Sequence, residues 1–538
     1  MNGIEILAGL LALLVLLVLL AERLAVPFPV VLVLGGLALG FVPDLPRVAL
    51  PPDLVLLIFL PPLLFAQAIT LSWRDFIANL RPILLLSIGL VLATLGLVGA
   101  TAHAVIPHLS WAAAFTLGAI VAPTDAVAVT AIVQKLPLPR HLVSILSYES
   151  MVNDGASLVC YKLAVLAVAT GSFSAGRAAW QFTWSSLGGV AVGLAVGWAI
   201  VEVRRRMEPN PTVENTISLL SPFAAYLPAE ALNVSGVLAV VALGLYVGRQ
   251  GPRFISASTR LQSGAMWAMI DFLLNGLLFI LVGLQLRTVV SRIAGPHLLG
   301  TLLHAALLSL VVIAVRIVWV FGTAYLPPLV QPRRRRPPLP PWPQVVIIAW
   351  TGTRGGLSLA AALALPLAAF GRSAFPQRDL LIFLTFTVIL STLVTQGLSL
   401  PWLIRRLDLR DDGEEAREEA QAYQQGTQAA LDRLNTLAEE EDIPQELVED
   451  MRGHFEHRNA RFAARADGSG DQERESRAVA LHHLRREMVA AERKTVVGLR
   501  DDGTISDGVL QRIQRALDLE EQRLELEEAG ELEEASEE

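Results

Sequence analysis

Residues 118–127 read Gly118-Ala-Ile-Val-Ala-Pro-Thr-Asp-Ala-Val127, an apolar helical run with Pro123, Thr124 and Asp125 set into its middle. Proline has no N–H and its ring clashes with the preceding turn, so a helix breaks at Pro123. The apolar flanks belong to one of many long hydrophobic stretches, and a broken helix at membrane depth leaves backbone polar groups free. That is tolerable only around a cavity or an ion site. A second interruption, Thr351-Gly-Thr-Arg-Gly-Gly356, lies inside another apolar run in the other half of the chain. Two interrupted spans, each with a charge at the break, predict an inverted-repeat transporter with its site at mid-membrane. No repeat is visible by residue identity, so the symmetry rests on these breaks.

The rest of the chain agrees. Of 538 residues, 53% are hydrophobic and 17% charged, against roughly 25% charge in globular domains. A hydrocarbon core needs about 20 apolar helical residues per crossing. Thirteen stretches qualify, near 4–22, 26–42, 53–72, 82–106, 110–134, 141–169, 178–201, 212–228, 233–248, 262–285, 297–321, 344–367 and 379–403. The eighth is the weakest, diluted by Glu214, Asn215, Ser221 and Pro222. Loops after odd-numbered spans hold 18 Lys and Arg, and loops after even-numbered spans hold 6. Cytoplasmic loops are the basic ones, so the N-terminus is expected outside and the C-terminus in the cytoplasm, with the chain in the cytoplasmic (inner) membrane. Dropping the eighth span would erase that bias. The first run has neither a basic n-region nor an A-x-A-like cleavage site, which predicts a retained span rather than a signal peptide.

From Asp411 onward there are 35 acidic and 16 basic residues, a net of −19, whereas the first 410 residues carry +12. The expected domains are therefore 1–405, an all-α polytopic membrane body, and 406–538, an acidic cytoplasmic tail, helical in pieces such as Leu431–Glu441 and Ile505–Glu528. Gly468-Ser469-Gly470 reads as a break. Leu510, Ile513, Leu517 and Leu524 form a helical stripe suited to a small hairpin, and the final acidic run reads as solvated. Arg333–Arg336, flanked by prolines, reads as a topology anchor and not a nucleic-acid patch. The single cysteine, Cys160, excludes an internal disulfide and a Cys-based zinc site.

A charge at mid-bilayer costs roughly 2.5–3.5 kcal/mol on insertion scales, so Asp125, Glu149, Asp154, Lys162, Asp271, Arg316 and Arg354 each need a reason. The sixth span supplies the chemistry: Ser147-Tyr-Glu-Ser-Met-Val-Asn-Asp-Gly155. Ser150 and Asp154 are four apart and share a helix face, with Glu149 and Asn153 on the neighbouring stripe. Carboxylate, hydroxyl and freed carbonyl oxygens suit a hard cation. Burial disfavours a bare carboxylate, so Asp154 can carry a proton or a cation but not both at once, which is already an exchange mechanism.

With these motifs in view, the sequence resembles the monovalent cation/proton antiporters, specifically the bacterial members of the electroneutral sodium/proton exchanger branch. The matching stretches are Phe59-Leu-Pro-Pro-Leu-Leu-Phe65, Ala122-Pro-Thr-Asp-Ala126, Glu149-Ser-Met-Val-Asn-Asp154 and Gly352-Thr-Arg-Gly-Gly356, with Ser221-Pro-Phe-Ala-Ala-Tyr226 and Phe272-Leu-Leu-Asn-Gly-Leu277 besides. The resemblance covers about residues 1–405. It implies that Asp154 exchanges cation for proton, and that Asp125, Ser150 and the Thr124 carbonyl complete a Na⁺ shell. It implies that Asn153 stands where electrogenic relatives carry a second Asp. Glu149 and Arg316 would form a structural ion pair, and Arg354 would stabilise the crossing of the broken helices. A homodimer is implied by the resemblance alone. One departure is Ala66 followed by Gln67, where related antiporters often have a carboxylate. Asp271 and Lys162 receive no role beyond structural pairing or helix-end placement.

The expected function is exchange of a monovalent cation, Na⁺ with Li⁺ also accepted, for H⁺ by rocking of a core bundle against a scaffold. Such exchange would serve sodium transport and pH homeostasis, without enzyme activity or cofactor. Partners are the ions and membrane lipid, with no nucleic acid. A K⁺/H⁺ antiporter is the near alternative and a cation channel the other class. An intramembrane aspartyl protease is disfavoured because Asn153-Asp154-Gly155 is not the Gly-x-Gly-Asp setting that chemistry uses.

Overall fold

The computed structural model describes residues 3–24, 26–42, 57–125, 139–293, 298–330, 339–366, 368–369, 373–407, 414–440, 443–466, 472–502 and most of 504–522. Two compact units emerge, Met1–Leu409 and Arg410–Glu538.

The first unit is helical. In chain order it contains α1 (Gly3–Leu24), α2 (Phe28–Gly40), α3 (Leu60–Thr70), the short α4 (Trp73–Ala78) and α5 (Leu80–Leu84). A π-turn over Leu85–Gly89 leads into α6 (Leu90–Val105), followed by α7 (Trp111–Val121), α8 (Arg140–Thr170), α9 (Ala175–Arg206), α10 (Pro211–Ala231) and α11 (Gly236–Gln250). Then come α12 (Ala257–Ile293), α13 (Leu298–Val330), α14 (Trp342–Trp350), α15 (Gly356–Leu363) and α16 (Arg378–Leu407). A two-residue antiparallel strand pair, Ala368–Ala369 with Ser373–Ala374, precedes α16.

Each of the thirteen apolar stretches carries a helix, including the eighth. The fifth and twelfth are interrupted, at 122–125 and 351–355; the second half of the fifth lies outside the described residues. Among the described residues, seven helical segments are long and apolar enough to cross a membrane by length and composition. Many leucines and tryptophans on their outer faces are exposed in the isolated chain, including Trp180, Trp184 and Trp198 on α9, as lipid-facing positions must be when no water solvates the surroundings.

Helix ends follow local chemistry. Ser110 and Ser235 cap α7 and α11 by accepting the backbone N–H of Ala113 and Leu238, both at 3.3 Å, which satisfies donors that a helix start leaves orphaned. Gly171 ends α8 in the left-handed conformation, φ 66°, where a side chain would be strained.

Packing separates the helices into two groups. One, the scaffold, pairs α2 with α12, α9 with α11, and α3 and α10 with α11. The other, the core, packs α6 on α7 and α13, α7 on α8, and α13, α14 and α15 with α16. In the scaffold, a Cβ added at Gly36 or Gly283 would strike the backbone of the opposite helix, at Ile280 and Val33 respectively, so small residues set the close approach of α2 and α12.

The second unit contains α17 (Glu414–Glu440), α18 (Gln445–Ala466) and α19 (Gln472–Asp501), with further helical turns between 508 and 522. Leu517 and Ile513 of the predicted stripe pack on Val489 of α19, the hairpin contact that their spacing suggests. Arg493 of α19 donates to Asp518 at 2.7 Å and to Glu521. Leu524, the final acidic run, the Gly468–Gly470 break and the Arg333–Arg336 anchor lie outside the described residues.

Candidate functional site

The two interruptions meet. The backbone N–H of Asp125 donates to the Thr353 carbonyl at 2.8 Å, and Thr353 Oγ1 donates to the Asp125 carbonyl at 3.2 Å. Each unwound segment therefore satisfies backbone groups of the other, which resolves the polar-backbone problem that breaking a membrane helix creates. Between them Gly355 is extended, and a Cβ there would fall on the Asp125 carboxylate. Only a glycine lets the two breaks approach this closely.

Arg354 is fully buried at the crossing. Its Nε donates to the carbonyl of Val121, the last residue of α7, at 3.0 Å, and Nη1 donates to the Gly352 carbonyl. Its own N–H is accepted by Thr392 Oγ1 of α16 at 3.2 Å. Carbonyls at a helix C-terminus lack intrahelical donors and carry partial negative charge. The guanidinium supplies both the donors and the opposing charge.

Arg316 of α13 has a related task. It is fully buried, bonded bidentately to the Glu149 carboxylate, with Nη2 to Oε2 at 3.0 Å and a second contact from Nη1 to Oε1. The same guanidinium also donates to the Ile348 carbonyl in the last turn of α14, at 3.2 and 2.9 Å. Thr124 Oγ1 donates to Glu149 Oε1 at 3.2 Å, lies 3.4 Å from Ser150 Oγ and accepts Asn153 Nδ2 at 2.7 Å. Glu149, Ser150 and Asn153 of α8 are thus tied to the break after α7.

Asp154, one helical turn beyond Ser150, receives no hydrogen bond and no basic partner on its carboxylate from the described residues. It lines a cavity with Thr124, Asp125 and Ser150. The sequence-derived ion ligands accordingly share one space. Asn153 and the ion-paired Glu149 stand behind it.

Sequence reasoning missed several groups. Gln67, Asn275 and Ser358 also line the cavity. Gln67 comes from the stretch where Ala66 and Gln67 depart from the related pattern. Arg204 and Glu214 form a buried pair at 3.2 Å, although Glu214 reads in sequence only as a residue that weakens the eighth span. Lys162 has a structural partner. It pairs with Glu230 of α10 at 2.7 Å with its side chain 55% exposed, two turns from the end of α8, where a long side chain can reach outward. Asp271 accepts Asn275 Nδ2 at 2.9 Å.

The sodium/hydrogen exchanger transmembrane family is matched over residues 9–406. An uncharacterized Na(+)/H(+) exchanger of Mycobacterium tuberculosis is 38% identical over 97% of this chain and 96% of its own length. A sodium, potassium, lithium and rubidium/H(+) antiporter of Bacillus subtilis is 34% identical over 70% of this chain and 58% of its own. Among solved structures, the sodium proton antiporter MjNhaP1 of Methanocaldococcus jannaschii superposes with a TM-score of 0.58 at 19% identity, covering 73% of this chain and 98% of that one. At that identity the likeness concerns the fold.

Proposed function

The chain belongs to the sodium/hydrogen exchanger family, and on that premise we propose that it is a multi-pass secondary antiporter exchanging Na⁺ for H⁺, one for one, with Asp154 as the alternating carrier. The observation that carries this reading is the charge balance of the core. Three carboxylates (Asp125 and Asp154, half-buried, and the buried Glu149) and two buried guanidiniums (Arg316, Arg354) gather around the crossing. Glu149 is consumed by Arg316, and Arg354 is spent on the carbonyls of the breaks. Formally the cluster is one negative charge in excess, and among the described residues the Asp154 carboxylate receives no hydrogen bond and no basic partner. An uncompensated buried carboxylate is costly. A single proton or a single monovalent cation removes that cost, and the two compete for the same oxygens.

The carbonyl oxygens at the break and the hydroxyls of Thr124 and Ser150 supply the hard-oxygen surroundings such a cation needs. Asn153, being uncharged, adds no second exchangeable proton, which supports electroneutral exchange. Transport proceeds by rocking of the core helices against the scaffold, since the two groups pack more heavily within themselves than on each other. The distribution of basic loops supports an outside N-terminus, a cytoplasmic tail (406–538) following the membrane domain (1–405), and residence in the cytoplasmic membrane. A homodimer belongs to the same reading.

The test is proton flux in proteoliposomes bearing an imposed pH gradient, with Na⁺, Li⁺ and K⁺ added in turn. For Na⁺ and Li⁺, voltage is clamped at zero by valinomycin with equal K⁺ on both sides, without a protonophore, and Asp154→Asn serves as control. Cation-driven proton movement that is lost in the variant and indifferent to voltage is expected. Proton movement that persists in Asp154→Asn would remove Asp154 from the mechanism.

A further inference from the structure

The cavity around Asp154 has polar walls that the recognised ligands do not account for. Ser358 of α15 is 1% exposed, and its Oγ has no hydrogen-bond partner among the described residues. A helical serine or threonine normally disposes of its hydroxyl by donating to the carbonyl four residues back, as Thr392 does to Val388 at 2.9 Å. For Ser358 that residue is Arg354, which lies in the unwound segment before α15 begins at Gly356. The break that builds the crossing therefore also strips Ser358 of its fallback acceptor. A buried polar atom left in this way is costly unless a guest satisfies it, and this one lines the ion cavity.

Asn275 of α12 is a second polar group on the cavity wall. It is 4% exposed, it lines the same cavity, and its Nδ2 donates to Asp271 Oδ1 at 2.9 Å. That bond fixes which end of the amide is which: the donor end goes to Asp271, and the carbonyl oxygen is left as an acceptor. The Asp271 carboxylate, four residues earlier on the same helix, thus orients the amide.

We propose that Ser358 Oγ and Asn275 Oδ1 are further oxygen ligands of the transported cation, and that Asp271 is a positioning residue acting through Asn275. The proposal rests on the antiport reading of this cavity and deepens it. It divides the shell between two bodies. Ser358 belongs to the core and travels with Asp154, whereas Asn275 belongs to the scaffold and coordinates only while the core stands in this arrangement. Asn275 then weighs on cation choice at loading, and it also compensates for the carboxylate that Ala66 and Gln67 do not supply.

The test uses the full chain in proteoliposomes, with Na⁺, Li⁺ and K⁺ titrations that separate KM from Vmax for wild type, Ser358→Ala, Asn275→Ala and Asp271→Ala. Loss of one oxygen contact to a charged guest is expected to raise the Na⁺ KM about tenfold in Ser358→Ala and Asn275→Ala. Vmax should stay within about twofold, and the Na⁺/Li⁺ KM ratio should change. Asp271→Ala should shift the ratio in the same direction as Asn275→Ala, and the double variant should add little to either single one. If wild type exchanges and Asp154→Asn does not, yet these variants keep wild-type KM ratios or lower Vmax equally for every cation, the ligand assignment is overturned and antiport stands. If wild type shows no cation-driven proton movement, or Asp154→Asn retains it, the antiport reading falls and takes this one with it. Ser358→Ala removes a single atom from a helix and keeps the question decidable even where the Asn275 variant folds poorly.

Discussion

Replacing Glu149 by glutamine isolates what the buried ion pair does. The substitution preserves volume and leaves an oxygen for Thr124 Oγ1, but it removes the charge that faces Arg316. Both partners are about 1% exposed, so water cannot replace what is lost. Arg316 would keep its bonds to the Ile348 carbonyl and lose its bidentate grip on a carboxylate. Two charge-assisted bonds at about 1.5–3 kcal/mol each give about 3–6 kcal/mol. Breaking buried pairs from one side is found to cost about 3–5 kcal/mol. A loss of about 4 kcal/mol is a large part of the 5–15 kcal/mol that typically holds a domain together. Spread over an unfolding entropy of about 2.1 cal/mol/K per residue for roughly 400 residues, it lowers the melting temperature by about 5 °C. The assay is thermal unfolding of the detergent-solubilised chain, read beside membrane yield. The companion variant Glu149→Gln with Arg316→Met should recover much of the loss, because it removes the stranded charge. Unchanged yield and melting in Glu149→Gln, together with a raised Na⁺ KM, would refute the structural role and make Glu149 a ligand.

Other substitutions test neighbouring parts of the argument. Asp154→Asn should abolish exchange while melting and yield are no lower than wild type, since its carboxylate has no partner in the described structure to lose and its charge is a cost. Gly355→Ala should push its methyl into Asp125, cost about 1–3 kcal/mol as an overpacking change, and reduce transport more than melting; full transport would mean that the breaks need not touch. Glu214→Gln should destabilise by about 3–5 kcal/mol by stranding the buried Arg204, visible as reduced yield with cation selectivity unaltered. Lys162→Met should change stability by less than about 1 kcal/mol where water screens its half-exposed pair with Glu230; a larger loss would place the pair against lipid.

The architecture was legible where residue chemistry forces the backbone. Pro123 and the Gly352–Gly356 run mark where two helices are interrupted, although Pro222, Pro228 and Pro401 are accommodated inside helices, and apolar runs of about 20 residues leave few options in a membrane. Ser150 and Asp154 share a face by helical periodicity, so their meeting in one cavity needed no tertiary information. Glu149 and Arg316 are 167 positions apart, and their pairing followed only from resemblance. Groups that act through long-range packing stayed hidden. Ser358 and Asn275 look in sequence like ordinary polar residues in apolar helices. Their importance comes from an absent back-bond and from a neighbour that fixes an amide, which are properties of the folded chain. Glu214 misled because a carboxylate in a weak span reads as dilution until its partner from α9 is seen.

The paired bonds between Asp125 and Thr353 also set the tempo of turnover. They knit the two interruptions into one joint, so the cation cannot escape by local fraying of a loose loop; the joint must be carried as a unit. Movements of packed helical bodies run on microsecond to millisecond scales, slower by orders of magnitude than side-chain rotation. On the proposed rocking mechanism, turnover is then expected to follow the friction and thickness of the surrounding bilayer more than how quickly an ion sheds water. The same chain in a thicker or stiffer membrane should bind its cation as tightly and deliver it more slowly.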